Sequence, residues 1–496
     1  MQELETHYVL SKSTFIRGLQ CEKSLYFYKN TQIKRDPISA EQKALFSRGT
    51  DIGKYAWNLF PGGIDASPNS LAKYDESVLK TRECITANVP TIYEAAFIHN
   101  KVLVALDILV NNDGWRAYEV KSSTRITATY LMDAALQYYV ITKSGIELKD
   151  FSIVFVNKDY IKKGEINFND FFIVKSVLHE ILERQALIEE TIQKSFATLA
   201  QINIPEKGIG EHCFYPYNCD YRGTCWKGMP QNSVFDLVNY SKHDQFAMYR
   251  EGTILLEQIE NEKSFKKDQQ TQIWCAKNKT DFIDKQKIKE YLAQISDDVY
   301  FFDIEAYMPS IPIFEDTKPF EHIPFLFSMH YLSKGILSHE VYLTDVNSDQ
   351  RKQFALAFLN ATKNTGNILV FDDNLERRVL NKLAQLYPEL AEQMQERLNR
   401  IVDIRNWFSA PVFYSLSMKG SYSLKAILPA LVPDVNYDEL SINGGAGAMV
   451  SFEKLQKSND IFEIEELKQN LKAYCTMDTF GLYKIFQKLQ ELSLLQ

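Results

Sequence analysis

An apolar hairpin just after residue 100 constrains the fold of this chain more than any other feature. Val102 to Val110 is an apolar run rich in β-branched residues, and Trp115 to Val120 predicts the return strand. The Asn-Asp-Gly sequence at residues 112–114 supplies the tight turn between them. Thr91 to Asn100 predicts another strand before the hairpin, so we expect a three-stranded antiparallel meander. A helix from Thr127 to Gly145 is predicted to follow it.

Three charged residues interrupt the apolar hairpin: Asp107, Glu119 and Lys121. Residues two apart on a strand face the same side, so Glu119 and Lys121 share a face that Asp107 can meet from the neighbouring strand. Carboxylate oxygens are ligands that hard divalent cations prefer, and a lysine beside them can stabilise developing negative charge. The alternative is an edge hairpin with a solvated polar face.

Composition limits the classes of protein that this chain can belong to. Its 496 residues are enough for two or three domains, and 45% hydrophobic with 24% charged residues is typical of a globular protein. No apolar run reaches the length of a membrane span, and residues 1–15 lack a signal-peptide pattern, so we expect a cytoplasmic protein without membrane association. A net charge of −8 excludes a global basic field, so nucleic-acid binding would need local basic patches and metal ions.

Three cysteines are clustered before residue 226. Cys213, Cys219 and Cys225 are separated by five residues each, which indicates metal or cluster ligation more than core packing. Zinc usually pairs its cysteines at closer spacing, whereas an iron–sulfur cluster needs a fourth thiolate. Cys21 is the candidate, in a segment predicted to be one helix capped by Ser11. Taken alone, Cys21 is more typical of a packed core thiol. The remaining three cysteines are expected to be ordinary thiols.

These motifs give residues 8 to 226 a resemblance to the iron–sulfur nucleases of the PD-(D/E)XK superfamily, which include RecB-like nuclease domains. The resemblance implies a 4Fe–4S cluster and a Mg²⁺- or Mn²⁺-dependent active site in which a glutamine on the following helix takes part. The implied cluster ligands and the implied metal- and water-positioning residues are Cys21, Cys213, Cys219, Cys225, Asp107, Glu119, Lys121 and Gln137. The sequence departs from the family pattern in lacking a helix-borne histidine near Gly49 to Gly53.

Residues 231–297 differ in composition from the segments around them and are predicted to connect two domains. Gln258 to Gln270 is rich in charge and poor in apolar residues, which indicates a solvated helix or a linker. Asp281 to Ile295 is predicted to be an amphipathic helix leading into the second domain.

The second half of the chain opens with a strand, Val299 to Tyr307, that carries Asp303 and Glu305 on one face. Two acids in a buried strand cost several kcal/mol unless they are paired or hold a metal. Phe325 to Leu332 and Glu340 to Val346 are predicted to be the next two strands of an antiparallel meander.

Two further stretches of the second half carry acids. Asn367 to Ala384 reads as a short buried strand that runs into a helix, with Asp372, Asp373 and Glu376 at the junction. Leu471 to Leu489 is predicted to be the last helix. It carries a tyrosine and an aspartate four residues apart on one face: Tyr474 and Asp478.

This order of motifs resembles a ribonuclease-H-like 3′–5′ exonuclease of the DEDD group. The resemblance implies that Asp303, Glu305 and Asp478 ligate two metal ions and that Tyr474 orients the attacking water. It places Glu376 at the position of the family's junction acid. Two further residues fall at the junction asparagine and at an extra acid position: Asp372 and Asp403.

The two halves together resemble a family of uncharacterised bacterial proteins that joins these two kinds of nuclease. The implied fold class is α/β (α+β): a restriction-endonuclease-like PD-(D/E)XK domain with an iron–sulfur staple at residues 1–230, then the connector at residues 231–297. A ribonuclease-H-like DEDDy exonuclease domain follows at residues 298–496. In the stretch from Gly420 to Asp434, four polar residues either contact phosphates or cap and pack a helix: Ser421, Tyr422, Ser423 and Lys425.

The function expected from the sequence is a metal-dependent nuclease that acts on nucleic acid, DNA more than RNA, in DNA repair or phage defence. Two alternatives remain open. One is a nucleic-acid-binding scaffold in which one or both nuclease sites are inactive. The other is an interaction module in which the cysteines hold zinc instead of an iron–sulfur cluster.

Overall fold

The computed structural model of the chain describes residues 9–29, 32–68, 70, 73–346 and 348–494. Tyr8 and the residues before it, for which the sequence predicts no signal peptide, lie outside this description. The chain forms two compact units. The first comprises residues 1–228 and 309–320, and the second comprises residues 229–308 and 321–496. Both units mix helices with β-sheet, which agrees with the α+β class expected from the sequence.

The strands of the first unit form one sheet in the order β2-β3-β4-β5-β6-β7, with β1 added alongside β4. They are β1 Leu10–Ser11, β2 Ile64–Asp65, β3 Thr91–His99, β4 Val102–Asn111, β5 Trp115–Lys121, β6 Leu148–Val156 and β7 Phe172–Ser176. The strands β3, β4 and β5 pair antiparallel, which confirms the predicted meander. The next strand, β6, pairs parallel to β5, so the chain crosses over between them.

The helices of the first unit are α1 Lys12–Gln20, α2 Glu22–Lys29, α3 Ala40–Ala56, α4 Tyr74–Thr86, α5 Ala128–Lys143, α6 Phe168–Phe171, α7 Leu178–Leu182, α8 Gln185–Leu199 and α9 Arg222–Cys225. Ser11 caps α1 as predicted, because its side chain accepts a hydrogen bond from the Thr14 backbone N–H. The prediction of a single helix through Cys21 is wrong. The backbone of Cys21 is extended, with φ of −163° and ψ of 115°, so the helix ends and a second one begins.

Two apolar clusters form the core of the first unit. The larger one joins β3, β4 and β6 to α5 and α8 through buried side chains such as Phe97, Leu136 and Phe151. The smaller one includes Ile108 and Phe171. Because apolar side chains cover the sheet in both clusters, its strands read as nearly continuous apolar runs.

Five strands of the second unit form a sheet in the order β11-β10-β9-β12-β13, and β14 pairs with β8. The strands are β8 Phe282–Ile283, β9 Val299–Tyr307, β10 Ile323–Ser333, β11 Ile336–Leu343, β12 Asn367–Val370, β13 Ile401–Asp403 and β14 Phe413–Tyr414. The pairs β9–β10 and β10–β11 are antiparallel, as predicted, whereas β12 runs parallel to both β9 and β13. The strand β11 begins earlier than predicted, because Lys334 and Gly335 both have positive φ and close a two-residue hairpin.

The helices of the second unit are α10 Lys242–Arg250, α11 Lys267–Asn278, α12 Lys285–Leu292, α13 Arg351–Ala361, α14 Asn374–Leu386, α15 Ala391–Arg400, α16 Arg405–Ser409, α17 Leu424–Leu431, α18 Gly445–Lys457 and α19 Ile461–Leu494. The last helix begins ten residues before the predicted Leu471. Its first turn carries Ile461 and Phe462, which are 73% and 83% exposed. Apolar residues at helical spacing do continue before Leu471, at positions 461, 464 and 467, so the sequence itself was compatible with the earlier start.

Residues 231–297 have an apolar cluster of their own within the second unit, built on side chains that include Val234, Leu256 and Ile273. The prediction that Gln258 to Gln270 is solvated holds only in part. Gln269 is buried, and its amide donates a 2.8 Å hydrogen bond to the Val238 carbonyl.

Candidate functional site

Three carboxyl groups converge in the second unit. Asp303 and Glu305 project from β9, and Asp478 projects from α19, which packs across β9 and β10. One carboxylate oxygen from each residue lies within 4.8 Å of the other two. Among the residues that the structure describes, this is the one group of three or more potential ligand atoms so close together. A strand period of two and a helix face therefore bring together the three residues that the sequence predicted as ligands.

Glu376 joins this group from the first turn of α14. Its side chain is buried, and the pKa of its carboxyl group is raised by burial to about 8. Its oxygen Oε2 is buried and accepts no hydrogen bond from any described residue. Its charge contributes to raising the pKa of both Asp303 and Glu305, which means that the carboxylates are close neighbours. Glu376 therefore lies near the acids of β9, where the resemblance to the DEDD exonucleases implied a junction acid.

The two other acids considered at the junction serve the turn instead. Asp372 has φ of +70°, and its carboxylate pairs with the Arg405 guanidinium at 2.6 Å. Asp403 accepts 2.9 Å hydrogen bonds from the backbone N–H groups of Asp372 and Arg405. Both carboxylates are therefore engaged by local donors, and neither is among the three residues whose oxygens converge within 4.8 Å. The charge of Asp372 nevertheless contributes to raising the pKa of Glu376.

The electrostatics of the group favour a proton or a cation. Burial, followed by the neighbouring carboxylates, raises the pKa of Asp303 and of Glu305 well above the ordinary values. The pKa of Asp478 is raised to about 6 by burial, against the lowering effect of hydrogen bonds from two tyrosines. Buried like charges repel unless an opposite charge offsets them, so four such carboxylates suit divalent cations as oxygen ligands.

Two tyrosines and a lysine border the acids. Tyr474 is buried one helical turn before Asp478, and its pKa is raised by burial and by the Asp478 charge. The Tyr437 hydroxyl donates a 2.5 Å hydrogen bond to Asp478 Oδ1. The Lys425 ammonium lies 4.9 Å from the ring centroids of both tyrosines. Tyr437 lies in a loop without periodicity, so no sequence pattern pointed to it.

The cysteine next to Tyr474 on α19 lies closer to the acids than the sequence predicted. Cys475, predicted to be an ordinary thiol, is fully buried with its sulfur 3.4 Å from Asp303 Oδ2. In the Gly420 to Asp434 stretch, Tyr422 is buried, which agrees with packing. Lys425 is different, because it lies near the acids. Burial lowers the pKa of its ammonium group, against the raising effect of Asp478, Glu305 and Asp303.

A second group of charged residues lies in the first unit on β4, β5 and α5. Asp107 Oδ2 accepts a 2.6 Å hydrogen bond from the Val120 backbone N–H. Lys121 donates to Glu119 Oε1 at 2.7 Å and to Asp133 Oδ2 at 2.5 Å. The structure therefore brings together Glu119 and Lys121 on one face, as predicted, and adds an aspartate from the following helix.

Lys12, at the start of α1, is a member of this group that sequence reasoning missed. Its ammonium donates to Glu119 Oε1 at 3.0 Å and to the Ala105 carbonyl at 2.8 Å. Burial alone would raise the pKa of Glu119, but Lys12 and Lys121 hold it below its usual value. The pKa of Asp107 is raised by burial and by Glu119. Because 107 residues separate Lys12 from Glu119 in the chain, only the fold makes the pair visible.

Two buried oxygens test whether this group suits a metal. Glu119 Oε2 and Gln137 Oε1 accept no hydrogen bond from the described part of the chain. Both side chains are almost fully buried, and the Gln137 amide nitrogen lies 3.4 Å from Asp133 Oδ1. Carboxylate and amide oxygens without donors are suitable ligands for a hard divalent cation.

Glu94 lies across from Asp107 on the neighbouring strand β3. Its φ of +53° is a strained conformation for a non-glycine residue in a strand.

The four cysteines predicted as ligands lie in one region of the first unit. Cys21 stands between α1 and α2, and its thiol pKa is raised by burial and by Cys219 and Cys213. The pKa of Cys225 is raised by burial and by the same thiols together with Cys21. All four are free thiols. This set of four sulfurs fits the ligand number of an iron–sulfur cluster.

Polar contacts hold the cysteine loop against α1. The Arg17 guanidinium pairs with Asp220 at 2.5 Å, and Gln20 donates 2.7 Å hydrogen bonds to the carbonyls of His212 and Tyr217. Cys219 is further fixed by a 3.0 Å hydrogen bond from its backbone N–H to the Cys213 carbonyl. Contacts with α1 and hydrogen bonds within the loop therefore fix the positions of its cysteines.

The fold and these sites define an α+β protein with two groups of buried carboxylates. A family model described as a domain of unknown function, DUF2779, matches residues 300–423. The matched residues contain Asp303, Glu305 and Glu376, but end before Tyr474 and Asp478. No curated protein matches the chain. Within the described ranges, no helix combines the length and the apolar character needed to cross a membrane.

Proposed function

We propose that this protein is a metal-dependent nuclease with a site in each of its two units. The single observation that carries the proposal is the approach of Asp303, Glu305 and Asp478 to within 4.8 Å of one another. Glu305 and Asp478 are buried and Asp303 is partly buried, and bringing three repelling carboxylates together in such a place is unfavourable for stability alone. It becomes favourable when divalent cations are bound there, and paired metal ions are a common means of phosphodiester hydrolysis.

In the second unit, Asp303, Glu305, Asp478 and the longer Glu376 would hold Mg²⁺ or Mn²⁺. When bound, the ions would lower the pKa of water and neutralise charge on the phosphodiester. Tyr474 remains protonated because its pKa is raised by burial and by the acids. Its hydroxyl donates towards Asp478, and its oxygen can still accept a hydrogen bond from a water molecule and so orient it.

In the first unit, Asp107, Glu119 and Gln137 would offer oxygen ligands, and Lys121 would supply a fixed positive charge. The pKa of Lys121 is raised by Asp133 and Glu119 against the effect of burial, so the ammonium stays charged. It can therefore stabilise negative charge on a reacting phosphate without changing its protonation.

We infer that Cys21, Cys213, Cys219 and Cys225 hold a 4Fe–4S cluster, which would staple the start of the first unit to its end. We also infer the two fold families. The β3-β4-β5 meander followed by α5 and the parallel β6 supports a restriction-endonuclease-like domain. The order β11-β10-β9-β12-β13 supports a ribonuclease-H-like domain. Both agree with a bacterial family that joins a RecB-like nuclease to a DEDDy exonuclease.

The proposed substrate is nucleic acid, with DNA favoured over RNA, in a cytoplasmic role in DNA repair or phage defence. One observation favours a second candidate, a nucleic-acid-binding scaffold whose first site is inactive. Glu119 already has two ammonium partners, Lys12 and Lys121, which compete with a metal ion for the same oxygen.

The proposal is tested on protein purified without oxygen and incubated with single- and double-stranded DNA and RNA in Mg²⁺ or Mn²⁺. We expect cleavage that EDTA abolishes. The variants Asp107→Ala and Asp303→Asn are then compared to assign products to each unit. Loss of products with Asp303→Asn alone supports the scaffold role for the first site, and binding without cleavage by all three proteins contradicts the nuclease proposal.

A further inference from the structure

Asp478 is held by a tyrosine outside the helix that carries it. The Tyr437 hydroxyl donates a 2.5 Å hydrogen bond to Asp478 Oδ1, and both side chains are buried. Tyr437 lies between α17 and α18, 41 residues before its partner. A bond this short between a hydroxyl and a carboxylate is a strong, charge-assisted hydrogen bond.

The position of Tyr437 is itself fixed by its neighbours. Its ring centroid lies 6.5 Å from that of Tyr474, at an interplanar angle of 47°. The Lys425 ammonium lies 4.9 Å from both rings and donates to the Asn443 carbonyl. A cation over two aromatic rings stabilises their packing, so the Lys425 ammonium helps to fix the ring of Tyr437 beside Tyr474. From this position the Tyr437 hydroxyl reaches Asp478.

The carboxylate needs such a partner. Asp478 faces Asp303 and Glu305, and repulsion among the three favours rotation of the Asp478 side chain away from the others. A hydrogen bond to Oδ1 opposes that rotation. Partners of this kind orient metal ligands, and their loss commonly lowers metal affinity 10- to 100-fold.

We propose that Tyr437 is a positioning residue that holds Asp478 in the orientation required for divalent-metal binding. The inference rests on the proposed function, because it takes the acid group to be a metal site. It divides the work between two tyrosines. Tyr437 orients a ligand, whereas Tyr474 orients the water.

The chain provides a matched control for this test. Tyr422 is buried like Tyr437, and its hydroxyl has no hydrogen-bond partner among the described residues. Its ring lies 5.9 Å from that of Tyr414, and its pKa is raised by burial and by Tyr414. Removal of its hydroxyl tests the effect of a lost buried phenol without touching Asp478.

The experiment measures Mn²⁺ binding by electron paramagnetic resonance on the full chain, with the first site disabled by Asp107→Ala. We expect Tyr437→Phe to raise the dissociation constant of the site that Asp303→Asn removes by at least about tenfold. Tyr422→Phe should change it by less than about twofold, as its hydroxyl bonds to no ligand.

Two results would overturn the inference, and they are distinguishable. Parent-like Mn²⁺ affinity in Tyr437→Phe overturns it alone. Absence of Mn²⁺ binding in the parent overturns the proposed function and the inference with it. Nuclease rates add a second readout: saturating Mn²⁺ should restore Tyr437→Phe and should leave Tyr474→Phe slow. If metal fails to restore Tyr437→Phe, the tyrosine does not act through metal affinity.

Discussion

Single substitutions around Asp303 should affect either the affinity for metal or the rate of hydrolysis, depending on the residue. Asp303→Asn removes a ligand charge from a group of buried carboxylates, so we expect Mn²⁺ affinity to fall at least about tenfold and exonuclease products to disappear. Tyr474→Phe should slow hydrolysis while leaving Mn²⁺ affinity nearly unchanged. Calorimetric Mn²⁺ titration and a nuclease rate give the two quantities. Asp297→Asn, an exposed acid before the strand, is the matched control.

Equal loss of Mn²⁺ affinity in Tyr474→Phe and Asp303→Asn would contradict this division of roles. So would full exonuclease activity in Asp303→Asn, because the site would then function without one of its three converging carboxylates.

Glu376 should make stability depend on pH in the absence of metal. Its pKa is raised from 4.5 to about 8 by burial. Between these values the folded chain keeps a proton that the unfolded chain has lost, so the free energy of unfolding falls as pH rises from 4.5 through 8. Glu376→Gln should make this fall smaller by about 1.4 kcal/mol for each unit of the Glu376 pKa difference. The part due to the raised pKa values of Asp303, Glu305 and Asp478 should remain.

Urea unfolding in EDTA, at several pH values between 5 and 8.5, gives the free energy of unfolding of the second unit and so measures this pH dependence. Glu392→Gln, which changes an exposed acid on α15, should retain the parent's slope. The prediction is wrong if Glu376→Gln and the parent lose the same stability over this range. Added Mn²⁺ should also weaken the dependence in the parent, because the metal replaces the proton.

The site residues that sequence patterns predicted lie on regular strands and helices, whereas the missed residues lie in a loop or depend on contacts between distant elements. Asp303 and Glu305 obey the strand period, and Tyr474 and Asp478 obey the helix period, so their convergence could be predicted. Tyr437 reaches the site from a loop that has no period. Lys12, too, meets its partner only through the pairing of distant elements, which a local pattern cannot encode.

At the scale of elements, the break between α1 and α2 is the feature that most affects the proposed cluster. The sequence of this segment is compatible with one continuous helix. The structure ends the first helix at Gln20 and extends the backbone of Cys21, whose N–H bonds back to the Arg17 carbonyl at 2.8 Å. Tertiary contacts with the cysteine loop, including the Arg17–Asp220 ion pair, outweigh local helix propensity there.

The cysteine region yields a prediction about both iron and stability. A cluster bound by Cys21 and the loop cysteines would close a loop of roughly 190 residues, so its loss should destabilise the first unit. Cys21→Ala should lower bound iron and sulfide to near zero, remove visible absorbance and lower the melting temperature. Cys84→Ala, a buried thiol on α4, should keep the iron.

Iron analysis and visible spectra of anaerobically purified protein give the result. Full iron content in Cys21→Ala would remove this residue from the ligand set. A colourless parent with one zinc per chain would instead favour the zinc-stapled interaction module.

At the scale of the whole molecule, the sequence indicated two α+β halves, and the structure forms two compact units whose first division falls after Gly228. Residues 309–320 belong to the first unit although the chain around them belongs to the second. Prolines at positions 309, 312 and 319 mark an irregular segment, but they do not indicate which unit it joins. That depends on tertiary packing, such as Phe320 against the smaller apolar cluster. Domain limits drawn from sequence alone therefore could not include it.

Two sites in two units should act independently if each has its own metal ligands. The most direct test of the nuclease activity of the second unit uses full-length Asp107→Ala protein, in which only the second site remains, on single-stranded DNA labelled at the 3′ or the 5′ end. With Mn²⁺, we expect rapid release of the 3′ label as a mononucleotide and gradual shortening of the 5′-labelled strand. Neither product should form once Asp303→Asn is added. Unchanged products in that double variant, or no Mn²⁺-dependent hydrolysis of DNA or RNA by the single variant, would contradict this proposal.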